Sequence, residues 1–432
     1  MSQNKVFQNA KWIIVCKILQ SVLQLVIGMV TARYLGPSNY GLINYAASIV
    51  AFAVPIMQLG LPSILVQEYV ERPKEEGAIV GTSLVMSLVS GIACIIGVLS
   101  FVAIANQGEQ TTILVCALYS ISIICRVMEL LQYWFQKKLL SKYSSMAVLA
   151  AYVVVSAYKV YLLICGKSIY WFAVSHGIEY ACAGLLLLIA YRSVNGEKLS
   201  FSWNLAKAMF RKSKYYILAN LMVTIFQNTD HVMLKMMVGD AENGFYTTAV
   251  TCASVTQFVF FAIIDSARPV ILEKRKESIS AFETKTSELY TIIIYATLVQ
   301  AICFAFFSEL IVYILYGKEY LSAVPVLQIL AWQSLFSYIG SVRNIWILGQ
   351  EKYTVLWKIN LCGVLANVVL NAMMIPVWGA CGAAFASLLT QFVTNFIVGF
   401  IMKPIRQNNR LLLRGMHPRS LFRIIRKITQ HT

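Results

Sequence analysis

Charged residues are scarce in this sequence, and acidic residues are the scarcest of them. Only 13% of the 432 residues are Asp, Glu, Lys or Arg, with 19 acids against 36 bases, whereas about 25% is usual in soluble domains. Hydrophobic residues make up 59% of the chain. This composition excludes a water-soluble globular protein and predicts a chain that lies largely within a lipid bilayer.

The usual signatures of metal, disulfide and nucleotide sites are also missing. The four histidines form no HExxH motif, and the ten cysteines lie in apolar stretches without a CxxC pair. Residues 165–168 (CGKS) end like a phosphate-binding loop, but Tyr161 stands where that motif needs its first glycine. We therefore expect no metal and no cofactor. The bases also argue against a nucleic-acid partner, because their distribution has another explanation.

Twelve apolar segments are long enough to cross a hydrocarbon core about 30 Å thick as helices. They are residues 12–33, 42–65, 79–105, 111–135, 143–165, 169–191, 214–236, 246–267, 288–315, 323–348, 354–377 and 380–402. The predicted fold is an all-α polytopic membrane protein. With the N-terminus inside, 27 of the 36 Lys and Arg fall on the inner side and only Arg33, Lys167 and Lys318 on the outer. This asymmetry predicts that both termini are cytoplasmic.

A shift of 203 residues lays the first half of the chain over the second. Gly36 then meets Gly239, Gly41 meets Gly244, and the segments upstream stay in register. Six spans per half give both halves the same orientation, so the sequence predicts a parallel repeat. The expected domains are an N-terminal lobe (1–200), a C-terminal lobe (201–402) and a basic cytoplasmic tail (403–432). We expect the tail to lie along the anionic inner leaflet, with partner binding as the alternative.

Polar side chains recur every three or four residues along the first apolar segment, so they share one helix face. The stripe consists of Lys17, Gln20, Ser21, Gln24, Gly28 and Thr31. The repeat places a second stripe in the seventh segment, at Asn220, Thr224, Gln227, His231 and Lys235. Because such stripes are costly in lipid, each should face protein or a water-filled cavity.

Ionisable residues within spans are the main site candidates. Lys17, Lys159, Arg343 and Lys358 have no acidic neighbour in sequence, which favours an anion-binding cavity, although pairing between helices is the open alternative. The candidate substrate-binding set is Lys17, Gln24, Lys159, Lys235, Arg268, Arg343 and Lys358. Lys235 and Arg268 lie near helix ends, where snorkelling explains them equally well.

Acids within spans are candidates for binding a coupling proton or sodium ion: Asp230, Asp265, Glu129 and Glu179. Three i,i+3 pairs should also form on single helix faces: Arg126 with Glu129, His176 with Glu179, and Asp265 with Arg268. Asn360, Asn367 and Asn371 line one side of the eleventh segment. They suit sugar hydroxyls or, equally, amide hydrogen bonds between helices.

Several segments resemble one protein family. They are ARYLGPSNYGLINYAAS (32–48), GLPSILVQEY (60–69), NTDHVMLKMMVGDAENGFYTTA (228–249), YGKEYLSAVPVLQIL (316–330) and IPVWGACGAAFAS (375–387). Together they resemble Wzx-type oligosaccharide flippases of the polysaccharide transport family, within the MOP superfamily that also holds the MATE exporters. By position, Lys17 is similar to a basic residue of many relatives, and Asp230 falls in a family-like segment.

The resemblance implies a two-lobed, MATE-like transporter of the bacterial cytoplasmic membrane with a cationic lumen. The implied substrate is a polyprenyl-diphosphate-linked oligosaccharide, flipped to the outer leaflet for O-antigen or capsule assembly, with a polymerase and a chain-length regulator as further partners. One alternative is a MATE-like exporter of organic cations, which predicts an acidic lumen. Another is a membrane polymerase or glycosyltransferase, which predicts large loops with catalytic residues. We expect no enzymatic activity.

Overall fold

The structure is a computed structural model that describes the backbone of residues 3–429 and the side chains of residues 12–352, 354–424 and 426. Every regular element in this part of the chain is helical. The α-helices are α1 (Gln3–Met57), α2 (Leu65–Glu71), α3 (Glu76–Ala105), α4 (Gln110–Cys125), α5 (Leu131–Lys137), α6 (Ser141–Ile164), α7 (Ile169–Ser193), α8 (Trp203–Met237), α9 (Asp240–Ser254), α10 (Gln257–Glu277), α11 (Ile279–Tyr316), α12 (Ala323–Gly349), α13 (Tyr353–Phe392), α14 (Val398–Ile401), α15 (Arg406–Met416) and α16 (Pro418–Thr429).

Eight helical stretches of the described residues are long and apolar enough to cross a membrane, and the pair α9 and α10, bent by 45°, makes a ninth. Two of the eight are divided by a non-helical glycine, Gly36 in α1 and Gly379 in α13. Together with α8, which is less apolar, these give twelve helical segments that overlie the twelve predicted spans. The predicted fold class is therefore confirmed.

The glycines that mark the sequence repeat have matching backbones. Gly36 has φ 71° and ψ 170°, and Gly239 has φ 126° and ψ 179°. Both glycines have a positive φ, a backbone conformation that residues with a Cβ atom rarely adopt. Only glycine therefore turns the chain there without strain. The repeat is thus a repeat of backbone geometry as well as of sequence.

The chain divides into two compact units, Met1–Asn228 and Thr229–Thr432, which we call unit 1 and unit 2. The boundary between the two units falls inside α8. The boundary between lobes that the sequence predicts at residue 200 stays a prediction. The core of unit 1 contains fully buried Tyr45, Phe135 and Phe172. The core of unit 2 joins α10 to α13 and α15, around Tyr290 and Trp346.

The segment between α7 and α8 packs closely on unit 1. Glu197 accepts a hydrogen bond from the backbone N–H of Gly77 at 2.8 Å, and the N–H of Ser202 donates to Oγ1 of Thr82 at 3.0 Å. Farther along, Nζ of Lys212 in α8 lies 2.6 Å from Glu68 and 2.9 Å from Glu71. Helix α8 therefore begins eleven residues before the predicted span at residue 214, and its first turns belong to unit 1.

The basic C-terminal segment contains a helix that is part of the core. In α15, Asn408 accepts a hydrogen bond from the Tyr290 hydroxyl at 3.0 Å, and the carbonyl of Leu411 accepts one from Ser287 at 3.2 Å. Asn409 donates to the carbonyl of Phe396 at 2.7 Å. One face of α15 is therefore buried in unit 2, whereas Arg406, Arg410 and Arg414 stay exposed. The expectation that the whole tail lies along the inner leaflet stays a prediction, and residues 430–432 lie outside the described residues.

Candidate functional site

The most buried acid of unit 2 at membrane depth is Asp230, whose side chain lies between α8, α9 and both parts of α13. Its Oδ2 accepts hydrogen bonds from the Tyr246 hydroxyl at 2.5 Å and from Oγ of Ser387 at 2.6 Å. Its Oδ1 accepts from Nδ2 of Asn371 at 2.5 Å, and Asn371 also donates to Asn367 at 3.1 Å. We call these five residues the Asp230 cluster.

The side chains that donate these hydrogen bonds to Asp230 are neutral. A carboxylate that is only 5% exposed is costly to keep charged without a cation. Hydroxyls and side-chain amides offer oxygens as well as hydrogens, so they can turn to a bound cation or to a protonated acid with little movement. The Asp230 cluster can therefore take up a proton or a small cation.

His231 adjoins the Asp230 cluster on α8. Its Nδ1 lies 2.8 Å from Oδ1 of Asn243 and 3.3 Å from the hydroxyl of Thr247. Its ring packs edge-on against Tyr246, with the centroids 5.1 Å apart. One turn later, Lys235 forms an ion pair with Asp240 at 3.1 Å. His231 and Lys235 of the second polar stripe thus lie against protein, whereas Gln227 is exposed.

Unit 1 holds a different group at membrane depth, the Glu179 cluster, which consists of Arg126, Glu129, Lys159, His176 and Glu179. Arg126 pairs with Glu129 at 3.1 Å and lies over the Tyr180 ring at 4.5 Å. His176 lies 3.9 Å from Glu179, which also interacts electrostatically with Lys159 and Arg126. The predicted i,i+3 pairs Arg126–Glu129 and His176–Glu179 are confirmed. Lys159, for which the sequence offered no acidic neighbour, interacts electrostatically with Glu179 of another helix.

The remaining predicted residues divide by accessibility. Lys17, Gln24 and Lys358 are exposed, and among the described residues Lys17 and Lys358 form no ion pair. Arg268 is exposed but pairs with Asp265 at 3.0 Å, which confirms the third predicted pair. Nζ of Lys358 lies over the Trp357 ring, 5.9 Å from its centroid.

Arg343 lies in an unexpected place. It is 4% exposed, and its guanidinium donates to the carbonyl of Thr394 at 2.8 Å and to Asn344 at 3.1 Å. Thr394 belongs to a short π-helical turn, Val393–Ile397, whose altered hydrogen bonding changes how its carbonyls are satisfied. This contact gives Arg343 a structural task within unit 2.

Two members of the Asp230 cluster, Tyr246 and Ser387, were missed by sequence reasoning. Both lie in segments that the repeat and the family resemblance had already marked, and that was the only sign in the sequence that could have pointed to them. Asn367 and Asn371 were noted as suiting sugars or interhelical hydrogen bonds, and in the structure Asn371 makes the latter.

Taken together, the helices and the buried polar groups define a multi-pass membrane protein with a transporter fold. Among solved structures, the chain resembles the lipid II flippase MurJ with a TM-score of 0.75 at 13% identity, over 94% of this chain and 90% of that one. It also resembles a multidrug MATE transporter of the MOP superfamily with a TM-score of 0.69 at 15% identity, over 92% and 96%. Both likenesses concern the fold.

The sequence comparisons identify the family. Residues 6–274 match the model of the polysaccharide biosynthesis protein family, so the chain belongs to that family. It is similar to the capsular polysaccharide biosynthesis protein CapF of Staphylococcus aureus, 24% identical over 89% of this chain and 96% of the relative. A probable low-salt glycan biosynthesis flippase, Agl15 of Haloferax volcanii, is 22% identical over 50% and 46%. The resemblance noted in the sequence is confirmed.

Proposed function

We propose that this chain flips polyprenyl-diphosphate-linked oligosaccharide units from the inner to the outer leaflet of the bacterial cytoplasmic membrane, for assembly of capsule or O-antigen. The observation that carries the proposal is the family match, which covers most of a chain built from membrane-spanning helices. Similarity to CapF along nearly its whole length favours capsule.

In this proposal Lys17 of unit 1 and Lys358 of unit 2 are each a candidate contact for the diphosphate, while the polyprenyl chain stays in lipid. Both lysines are exposed side chains within predicted spans, and a charge at that depth is tolerated where it faces a water-filled cavity. Gln24 lies seven residues after Lys17, on the same helix face, and is placed to meet a sugar hydroxyl. Lys235, Arg268 and Arg343 have other partners and would have to release them first, and Lys159 interacts electrostatically with Glu179.

We further propose that Asp230 binds the coupling ion, a proton or sodium, as in a secondary transporter. The acids Glu129 and Asp265 each pair with an arginine and Glu179 lies beside His176 and Lys159, whereas the carboxylate of Asp230 rests on neutral donors. Occupancy of Asp230 would bias one arrangement of the transporter over another, since a ligand shifts an equilibrium only by its differential affinity. Both termini would lie in the cytoplasm, and a polymerase and a chain-length regulator would act on the flipped product.

The test is flipping by the purified protein in proteoliposomes, measured as exposure of a lipid-linked oligosaccharide to an added outer-leaflet enzyme. We expect Lys17→Ala to slow flipping about tenfold, because one charge-assisted hydrogen bond is worth about 1.5–3 kcal/mol. Lys17→Arg keeps the charge and serves as the matched control. Flipping at the wild-type rate by each of the variants Lys17→Ala and Lys358→Ala would overturn the assignment of these lysines to the diphosphate. Ion-driven efflux of an organic cation, with no flipping by the wild type, would favour the exporter instead.

A further inference from the structure

We infer that α16 is a binding site for anionic phospholipid headgroups at the cytoplasmic face of the membrane. This inference does not depend on the proposed substrate. It rests on where α16 begins, how its residues are distributed around the helix, and which charges the segment contains.

The start of α16 is tied to helix α11. The Tyr295 hydroxyl donates to the carbonyl of Met416, the last residue of α15, at 2.9 Å. Tyr295 lies seven residues inside the ninth predicted span (288–315), in the half nearer the end that the predicted topology places in the cytoplasm. Because α15 is held to α11 by Asn408 and Leu411, this position is set by the fold of unit 2.

The described side chains make α16 amphipathic. With 100° per residue, Leu421, Phe422 and Ile424 fall on one side, and Arg419, Arg423 and Arg426 fall on the other. Leu421 and Ile424 are half-buried, whereas Phe422 is 70% exposed. An aromatic ring so exposed matches the residues that interfacial helices insert between acyl chains.

The charge of the segment selects the partner. From Lys403 to the C-terminus the chain has eight Lys and Arg and no Asp or Glu. Arg419, Arg423 and Arg426 are all exposed. A basic face beside an inserted apolar face is the pattern that binds anionic lipid, and each basic residue near such a surface contributes about 1 kcal/mol. The occupant is therefore the anionic leaflet itself.

The test is amide hydrogen exchange of the full-length protein in nanodiscs of phosphatidylcholine alone or mixed with phosphatidylglycerol. We expect residues 418–429 to exchange more slowly in the anionic discs, and high salt to remove the difference. In the variant Arg419→Gln/Arg423→Gln/Arg426→Gln, the extra slowing of exchange in anionic discs should fall about fivefold for each arginine replaced. Phe422→Ser should weaken protection in both lipids. Amides of α15 report in the same experiment whether each variant is folded.

A matched control removes three other exposed cytoplasmic charges, as Lys198→Gln/Lys207→Gln/Arg211→Gln, and should leave exchange in α16 unchanged. Equal exchange of wild-type α16 in both lipids would overturn the inference and would leave the helix to a protein partner. Retained lipid dependence in the triple arginine variant would also overturn it, because another part of the chain would then sense the lipid.

Discussion

The Glu179 cluster of unit 1 and the Asp230 cluster of unit 2 place acids at membrane depth in opposite ways. In unit 1, the side chains of Arg126, Glu129, His176 and Glu179 are 15–27% exposed, and the acids have basic neighbours. In unit 2, Asp230 is 5% exposed and rests on two hydroxyls and an amide. A carboxylate that already pairs with a cation gains little from binding a second one. A buried carboxylate among neutral donors gains much more from binding a cation.

The two clusters should also differ in how well they tolerate loss of their acids. Loss of Glu129 from the Glu179 cluster leaves Arg126 partly exposed, with its guanidinium still over the Tyr180 ring. Loss of Asp230 leaves three buried donors without their acceptor, which costs the desolvation of each group. We therefore expect the two clusters to differ most under substitution of their acids.

The largest effect is expected for Asp230→Ala. It should destabilise the protein by about 2–5 kcal/mol, because several buried hydrogen bonds to a charged group are lost together. The thermal unfolding midpoint in detergent measures this, with Glu129→Ala as the matched change in unit 1, expected to cost less than about 1 kcal/mol. Asp230→Asn should keep more stability but lose the ion dependence of flipping. Equal midpoints for Asp230→Ala and Glu129→Ala would remove the contrast between the clusters.

The second-largest effect concerns a cation in each unit and how deeply it is buried. Arg343 is buried on a backbone carbonyl, whereas Arg126 in unit 1 is partly exposed beside Glu129. Arg343→Ala should destabilise by about 2–4 kcal/mol, because it opens a cavity and removes the donor to Thr394. Arg126→Ala should cost less. Unchanged thermal stability of Arg343→Ala together with a loss of flipping would return Arg343 to the substrate site.

The smallest effect concerns an ion pair of unit 1 outside the membrane spans. Hydrogen bonds from Lys212 and Gln67 lower the pKa of Glu71, and hydrogen bonds to Glu68 and Glu71 raise the pKa of Lys212. The stabilisation from Glu71 is present above its usual pKa and is lost as the pH falls through the lowered value. That from Lys212 is present below its usual pKa and is lost as the pH rises through the raised value.

Both groups are exposed, so solvent screens their contribution to stability. Hydrogen exchange of α2 should therefore be constant around neutral pH, after correction for the intrinsic rate, and should rise slightly in acid. Lys212→Met should remove this acid dependence while leaving α15 unchanged as an internal reference. A transition of α2 near pH 7 would contradict the assignment, since neither group titrates there.

Much of the fold could be predicted because its determinants are local. The twelve spans follow from apolar length, and the pairs Arg126–Glu129 and Asp265–Arg268 follow from helical spacing. The partners of Asp230 could not be predicted, because Asn371 and Ser387 are 141 and 157 residues away in the chain. For Lys159 and Arg343 the sequence left open the choice between an anion cavity and pairing between helices, because Glu179 and Thr394 are distant in the chain.

The sequence by itself determined the membrane-spanning helices, their repeat and the two glycines that turn the chain, since hydrophobicity and backbone sterics act over a few residues. Tertiary structure decided which charges are satisfied. It buried Arg343 on Thr394, gathered four neutral residues around Asp230 and drew α15 into the core of unit 2, while leaving Lys17 and Lys358 exposed. The cost of a charge in a membrane depends on its neighbours in space, and only the packed helices fix those neighbours.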